Sequence, residues 1–114
     1  MLDGKIELRM PRLRGVYAAR GVIKRYLKPT PLMYSNPLSK LLGCRAFLKL
    51  ENLQPTRAFK VRGGVYFMEK MAEEAKSRGV VAASTGNHAQ SVAYAASLFG
   101  VDARIVMPQG FICI

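Results

Sequence analysis

Residues 80–108 read VVAASTGNHAQSVAYAASLFGVDARIVMP, and this stretch decides the fold. Val80 to Ala83 form a short, wholly apolar run, as expected of a strand buried on both faces of a parallel sheet. A polar turn containing glycine follows (Ser84, Thr85, Gly86, Asn87), then a helical stretch over residues 88–99 closed by Gly100. Residues 103–107 (ARIVM) are a second apolar strand, stopped by Pro108. Strand, turn, helix and strand joined by short connections make a βαβ unit, with a right-handed crossover expected. The fold class is therefore α/β: a short parallel sheet flanked by helices, part of a three-layer arrangement.

Upstream, residues 59–78 predict one helix with Val61, Val65, Met68, Ala72 and Ala75 on its buried stripe and Glu69 and Glu73 outward. Residues 45–50 (RAFLKL) alternate as a strand, and residues 51–57 are turn material around Asn52 and Pro55. Residues 37–42 suit a short helix with Gly43 in the left-handed closing position, and residues 32–34 are extended. Leu13, Val16, Tyr17, Arg20, Ile23 and Leu27 recur near a period of 3.6, predicting a helix over residues 11–27 that Pro29 and Pro31 stop. With two or three helices for a sheet that needs cover on both faces, and a tail of Phe111-Ile112-Cys113-Ile114 behind a strand, the chain reads as a truncated piece of a larger α/β protein.

The 114 residues are half hydrophobic with a mean hydropathy of +0.07, which excludes intrinsic disorder, and no apolar run is long enough for a spanning helix. Eighteen Lys and Arg against seven Asp and Glu give a net charge of +11. The bias is steepest in residues 1–28, where Lys5, Arg9, Arg12, Arg14, Arg20, Lys24, Arg25 and Lys28 face Asp3 and Glu7. Such a balance suits nucleic acid, an anionic membrane face or an acidic partner surface. No nucleic-acid motif accompanies it, so nucleic acid is not the expected partner. A targeting segment is disfavoured because the first serine is Ser35. Cys44 and Cys113 make neither a disulfide framework nor a metal quartet, so the expected setting is the reducing cytoplasm and no metal is expected.

The turn from Ser84 to His88 lies at the carboxyl end of a buried strand and opens onto a helix N-terminus, where free amides and the helix dipole favour a carboxylate or phosphate. The same Ser, Thr and Asn are also ordinary N-cap residues. His88 is the only histidine, which excludes a His-based metal site; at a helix N-terminus it reads more simply as a neutral hydrogen-bonding group. Lys60, beside Phe59 and close in sequence to Arg57 and Arg62, is a candidate Schiff-base lysine, since neighbouring cations and partial burial lower an amine's pKa. By position alone it reads far more readily as a solvated helix lysine.

Two segments carry a resemblance. Residues 49–64, KLENLQPTRAFKVRGG, resemble the lysine segment of fold-type II pyridoxal-phosphate enzymes, and residues 83–90, ASTGNHAQ, resemble their asparagine loop. The wording is most similar to the threonine dehydratase and serine racemase branch. The resemblance implies pyridoxal 5'-phosphate as cofactor and a small amino acid as substrate. Lys60 would carry the cofactor and remove the substrate α-proton, Phe59 would pack beside the ring, and Asn87 would bond the ring oxygen. Ser84, Thr85, Gly86, Asn87 and His88 would hold the substrate carboxylate, with Thr85 where racemase relatives place an acid on the opposite face. The implied reaction is dehydration of a β-hydroxy amino acid to a 2-oxo acid and ammonia. It also implies that residues 1–55 pack on a large domain and that residues 56–114 are an incomplete small domain, with the glycine-rich phosphate cup beyond residue 114. Arg57-Ala58 depart from the family's usual Gly-Ser before Phe-Lys. The expected consequence is a chain inactive by itself; the alternative is a non-catalytic remnant that self-associates, as a homo-oligomer, through an exposed sheet edge or apolar face.

Overall fold

The stripe at residues 61, 65, 68 and 75 organises the packing. In the computed structural model, which describes residues 10–110, Val61, Val65, Met68 and Ala75 are buried together with Ala95, Ala96, Val101 and Leu27. The bases at Lys5 and Arg9, the acids Asp3 and Glu7, and the tail from Phe111 with Cys113 lie outside the described residues.

Three of those buried side chains sit on α3 (Val61–Lys70), which lies along α5 (Asn87–Phe99). Between them, α4 (Ala72–Arg78) is a separate helix. The single helix expected over residues 59–78 is broken at Met71, whose φ of −108° and ψ of 13° leave the helical region. The Ala75 amide still donates to the Met71 carbonyl at 2.7 Å, and Ala75 reaches the core beyond the break.

Strands β3 (Val80–Ala83) and β4 (Ala103–Val106) flank α5 and pair in parallel, Val80 opposite Ala103 and Ala83 opposite Val106. The βαβ unit is thus present, with Gly100 closing α5 at φ 64°. Burial differs from the expectation. Val80, Ala82, Ala103 and Ile105 are half-buried, whereas Val81 is 71% and Val106 57% exposed. Among the described residues, helices cover one face of this two-stranded sheet, so a run that is apolar on both sides is buried on one.

A second sheet pairs β1 (Leu32–Tyr34) antiparallel with β2 (Phe47–Lys49), joined through α2 (Asn36–Leu42). Ser35 caps α2 by accepting from the Leu38 amide, and Gly43 ends it at φ 65°. Leu32, Met33, Tyr34 and Leu41 are exposed.

The N-terminal helix, α1 (Leu13–Ile23), is shorter than residues 11–27, and residues 24–26 form a turn that brings Leu27 into the core. Its anchor is Glu69. The Tyr26 hydroxyl donates to Glu69 Oε2 at 2.5 Å, Arg25 pairs with the same carboxylate, and the Tyr26 and Phe99 rings meet at 5.1 Å. Glu69 therefore faces a partner rather than open solvent. The hydrogen bond from Tyr26, more than the charge of Arg25, holds the Glu69 carboxyl below its ordinary range. No helix among the described residues is long and apolar enough to cross a membrane.

Candidate active site

The approach to Lys60 is built on Glu51. Glu51 opens a 3-10 turn (Glu51–Leu53) and accepts both Nε and Nη2 of Arg62, each at 2.7 Å. It also accepts the Thr30 hydroxyl at 2.6 Å and the Gln54 amide at 3.3 Å, and the Lys49 ammonium donates to the Thr30 carbonyl. The bidentate fork of Arg62, assisted by Thr30, holds the Glu51 carboxyl at about 2 instead of 4.5. One carboxylate thereby ties residue 30, ahead of β1, to the first turn of α3.

Between Glu51 and α3, Arg57 has φ 55°, alone among the described non-glycine residues in having a positive φ. It stands where the resembled family carries glycine. A Cβ in the left-handed region costs roughly 1 kcal/mol, and the extra freedom of unfolded glycine takes back part of any gain. Arg57→Gly is expected to raise stability by about 0.5 kcal/mol; a thermal midpoint equal to or below that of the parent chain would contradict this.

Lys60 follows as the N-cap residue of α3, with φ −60° and ψ −24°. Its side chain is exposed, not partly buried, and the Arg62 guanidinium beside it in sequence is taken by Glu51. Lys60 and Phe59 line a groove of about 590 Å³ whose other walls come from Gly63, Gly64 and Phe67 of α3, Val81 of β3, and His88 and Val92 of α5. The groove is mostly apolar and of ligand size.

At the other end, Gly86 is the N-cap of α5, and no side-chain oxygen bonds the first-turn amides. Ser84 Oγ instead accepts from the Gly86 amide at 3.3 Å. The first-turn N–H groups of a thirteen-residue helix therefore have no side-chain cap, which is the arrangement that receives an anion. The ordinary N-cap role open to Ser84, Thr85 and Asn87 is filled by a glycine.

Phe59, Lys60 and His88 are thus brought to one groove. Ser84 and Thr85 line a shallower depression of about 470 Å³ with Val106, Met107 and Pro108, and Gly86 and Asn87 line neither. Glu51, Gly64 and Ser91 were not expected as parts of the site, and Arg62, expected as a cation beside Lys60, is instead paired with Glu51. A signal existed in the Gly63-Gly64 pair inside a helix, where glycine costs about 1 kcal/mol and so marks a close approach. Ser91 carried none.

The residues fit a pyridoxal group at its reactive end: an exposed amine, an apolar wall with two phenyl rings, and a helix N-terminus beside them. The comparisons agree. Residues 23–112 match the family described as pyridoxal-phosphate dependent enzyme. The chain is 47% identical over 100 residues to the L-threonine ammonia-lyase of Thermotoga maritima, covering 88% of this chain and 25% of that protein. It is 42% identical to the L-threo-3-hydroxyaspartate ammonia-lyase of Saccharomyces cerevisiae, covering 88% of this chain and 31% of that one. Maize serine racemase superposes with a TM-score of 0.79 at 38% identity, over 86% of this chain and 31% of its own. The chain spans between a quarter and a third of the length of these relatives. A groove that offers a lysine and a helix N-terminus, on a sequence matched across most of its length, settles the family: this chain belongs to the pyridoxal-phosphate dependent enzymes.

Proposed function

We propose that the groove is the lysine side of the active site of an ammonia-lyase that removes water from a β-hydroxy amino acid, giving a 2-oxo acid and ammonia. The observation that carries this is the meeting of Lys60, Phe59 and His88 on one apolar groove next to the uncapped start of α5. Pyridoxal 5'-phosphate, when bound, supplies an electron sink for the substrate's Cα. Lys60 Nζ would hold the cofactor and, once the substrate's amino group had replaced it there, would as a free amine accept the proton from the substrate's Cα. Phe59 and Phe67 exclude water from one side. The α5 amides, with Ser84, Thr85, Gly86, Asn87 and His88, receive the substrate carboxylate. Asn87 would hydrogen-bond the ring oxygen of the cofactor, and the Thr85 hydroxyl would hold a proton for the opposite face.

Within this reading, residues 1–55 form an arm that packs on a large domain and residues 56–114 an incomplete small domain. The uncovered Leu32, Met33, Tyr34 and Leu41 support such packing. The cofactor phosphate then needs groups beyond those described, and these 114 residues alone do not turn over L-threonine. A cytoplasmic setting suits the free, exposed Cys44. The uncovered Val81 and Val106 favour a second reading, association of copies into a homo-oligomer, which a monomer mass in concentrated solution by light scattering would remove.

The test is to mix the chain with pyridoxal phosphate, reduce with borohydride and map the added mass. A dominant adduct at Lys60 is expected. Adducts scattered over the other lysines, or none, would sink the proposal.

A further inference from the structure

Ser91 is a buried polar residue, 1% exposed, and its hydroxyl donates to the main-chain carbonyl of Lys60 at 2.7 Å. The Gly64 amide donates to the same carbonyl at 3.2 Å. The contact depends on Gly64. A Cβ built there would lie 2.8 Å from the Ser91 carbonyl oxygen and closer still to its Oγ, so a bare backbone is what lets α3 lie near enough for the hydroxyl to reach. Ser91 stands one helical turn after Asn87 on α5, about 6 Å along the axis, and three residues after His88, which lines the groove with Lys60. One hydroxyl thus joins the backbone of the lysine to the helix whose N-terminus is uncapped.

We propose that Ser91 is a positioning residue: by holding the Lys60 carbonyl against α5 it sets where the Lys60 amine stands relative to the start of that helix, and Gly64 is the vacancy that permits it. The inference rests on the reading of the groove as the lysine site. It assigns Ser91 no contact with substrate or cofactor. Its effect passes through the Lys60 main chain, and it predicts a defect in lysine selection beyond any defect in stability.

The experiment uses the full chain with pyridoxal phosphate, borohydride reduction and peptide mapping, applied to the parent, Ser91→Ala and Ala96→Gly. Ala96 is buried on the same helix, and its replacement by glycine weakens α5 without touching Lys60. Urea midpoints are recorded for all three. The expected result is that Lys60 takes most of the label in the parent and in Ala96→Gly, while its share relative to the other lysines falls about three- to tenfold in Ser91→Ala, the factor one hydrogen bond of ordinary net strength supports. A Ser91→Ala chain that keeps the parent's selectivity would overturn the positioning role and leave the lysine site standing. Equal loss in Ala96→Gly would overturn it too, by reducing Ser91 to a stability effect. Scattered labelling of the parent would overturn the lysine site and this inference together.

Discussion

A Gly64→Ala chain is expected to lose about 1–3 kcal/mol of stability, the range for overpacking a close contact. Alanine is ordinarily the better helix residue by about 0.5–1 kcal/mol, so on propensity alone the substitution would stabilise α3. Sterics decide the sign. The new methyl would meet the main-chain carbonyl oxygen of Ser91 at 2.8 Å and the carbonyl carbon at 3.2 Å, and backbone does not swing aside as a flexible side-chain end does. The helices must part, and parting them also draws the Ser91 hydroxyl from the Lys60 carbonyl. A lower urea midpoint with an unchanged slope is the expected reading. Ser91→Gly in the same chain removes the nearer Oγ collision and leaves the carbonyl one, so the pair is expected to recover part of the loss, with a coupling that a double-mutant cycle measures. A Gly64→Ala midpoint at or above the parent's would show that α3 and α5 do not meet at this glycine.

What could be read from sequence, and what could not, divides along the distance over which a residue acts. Gly43 and Gly100 close α2 and α5 because a left-handed residue is a local demand that only the neighbouring backbone sets. The βαβ unit was legible for the same reason, with punctuation at Gly100 and Pro108 and a change of period before them. Met71 shows the limit. No proline or glycine marks the break between α3 and α4, and the apolar stripe continues through it. The Val80 to Ala83 run shows another: apolar residues on both faces report what a strand is suited to, whereas its burial depends on which elements lie against it.

The same division holds within the site. The turn after β3 pointed to the start of α5 at the carboxyl end of a strand, because a strand followed by a short glycine-containing turn and a helix already defines that geometry. That Lys60 and His88 share a groove was not local, since it needs α3 and α5 side by side. The bond from Ser91 to Lys60 spans 31 positions and depends on a helix register that neither segment encodes alone. The Glu51–Arg62 pair spans eleven, yet a turn intervenes whose direction Arg57 helps set with an unfavourable φ.

Acid is expected to loosen this chain chiefly through Glu51. Its carboxyl sits at about 2 in the folded chain against 4.5, lowered first by the hydrogen bonds from Arg62. A depressed carboxyl pKa stabilises the fold fully above about 4.5, and that contribution drains away as pH falls toward 2. The full shift would correspond to about 3 kcal/mol at 1.36 kcal/mol per unit, but both side chains keep contact with solvent, 19% for Glu51 and 31% for Arg62. Screening brings the expected contribution to about 1–2 kcal/mol. Glu51→Gln keeps the shape and one acceptor but removes the charge, so at neutral pH it is expected to cost about 1–2 kcal/mol, with Arg62 left lacking its carboxylate. Most of the acid sensitivity between 4.5 and 2 should vanish with it. Glu69, which Tyr26 and Arg25 lower in the same direction, adds to that sensitivity. Urea unfolding of both chains across that interval is the measurement: parent and variant should converge in stability as the solution is acidified. Parallel curves would mean that the carboxylate of Glu51 is not what ties Thr30 to the first turn of α3, and the approach to Lys60 would have to be held by packing instead.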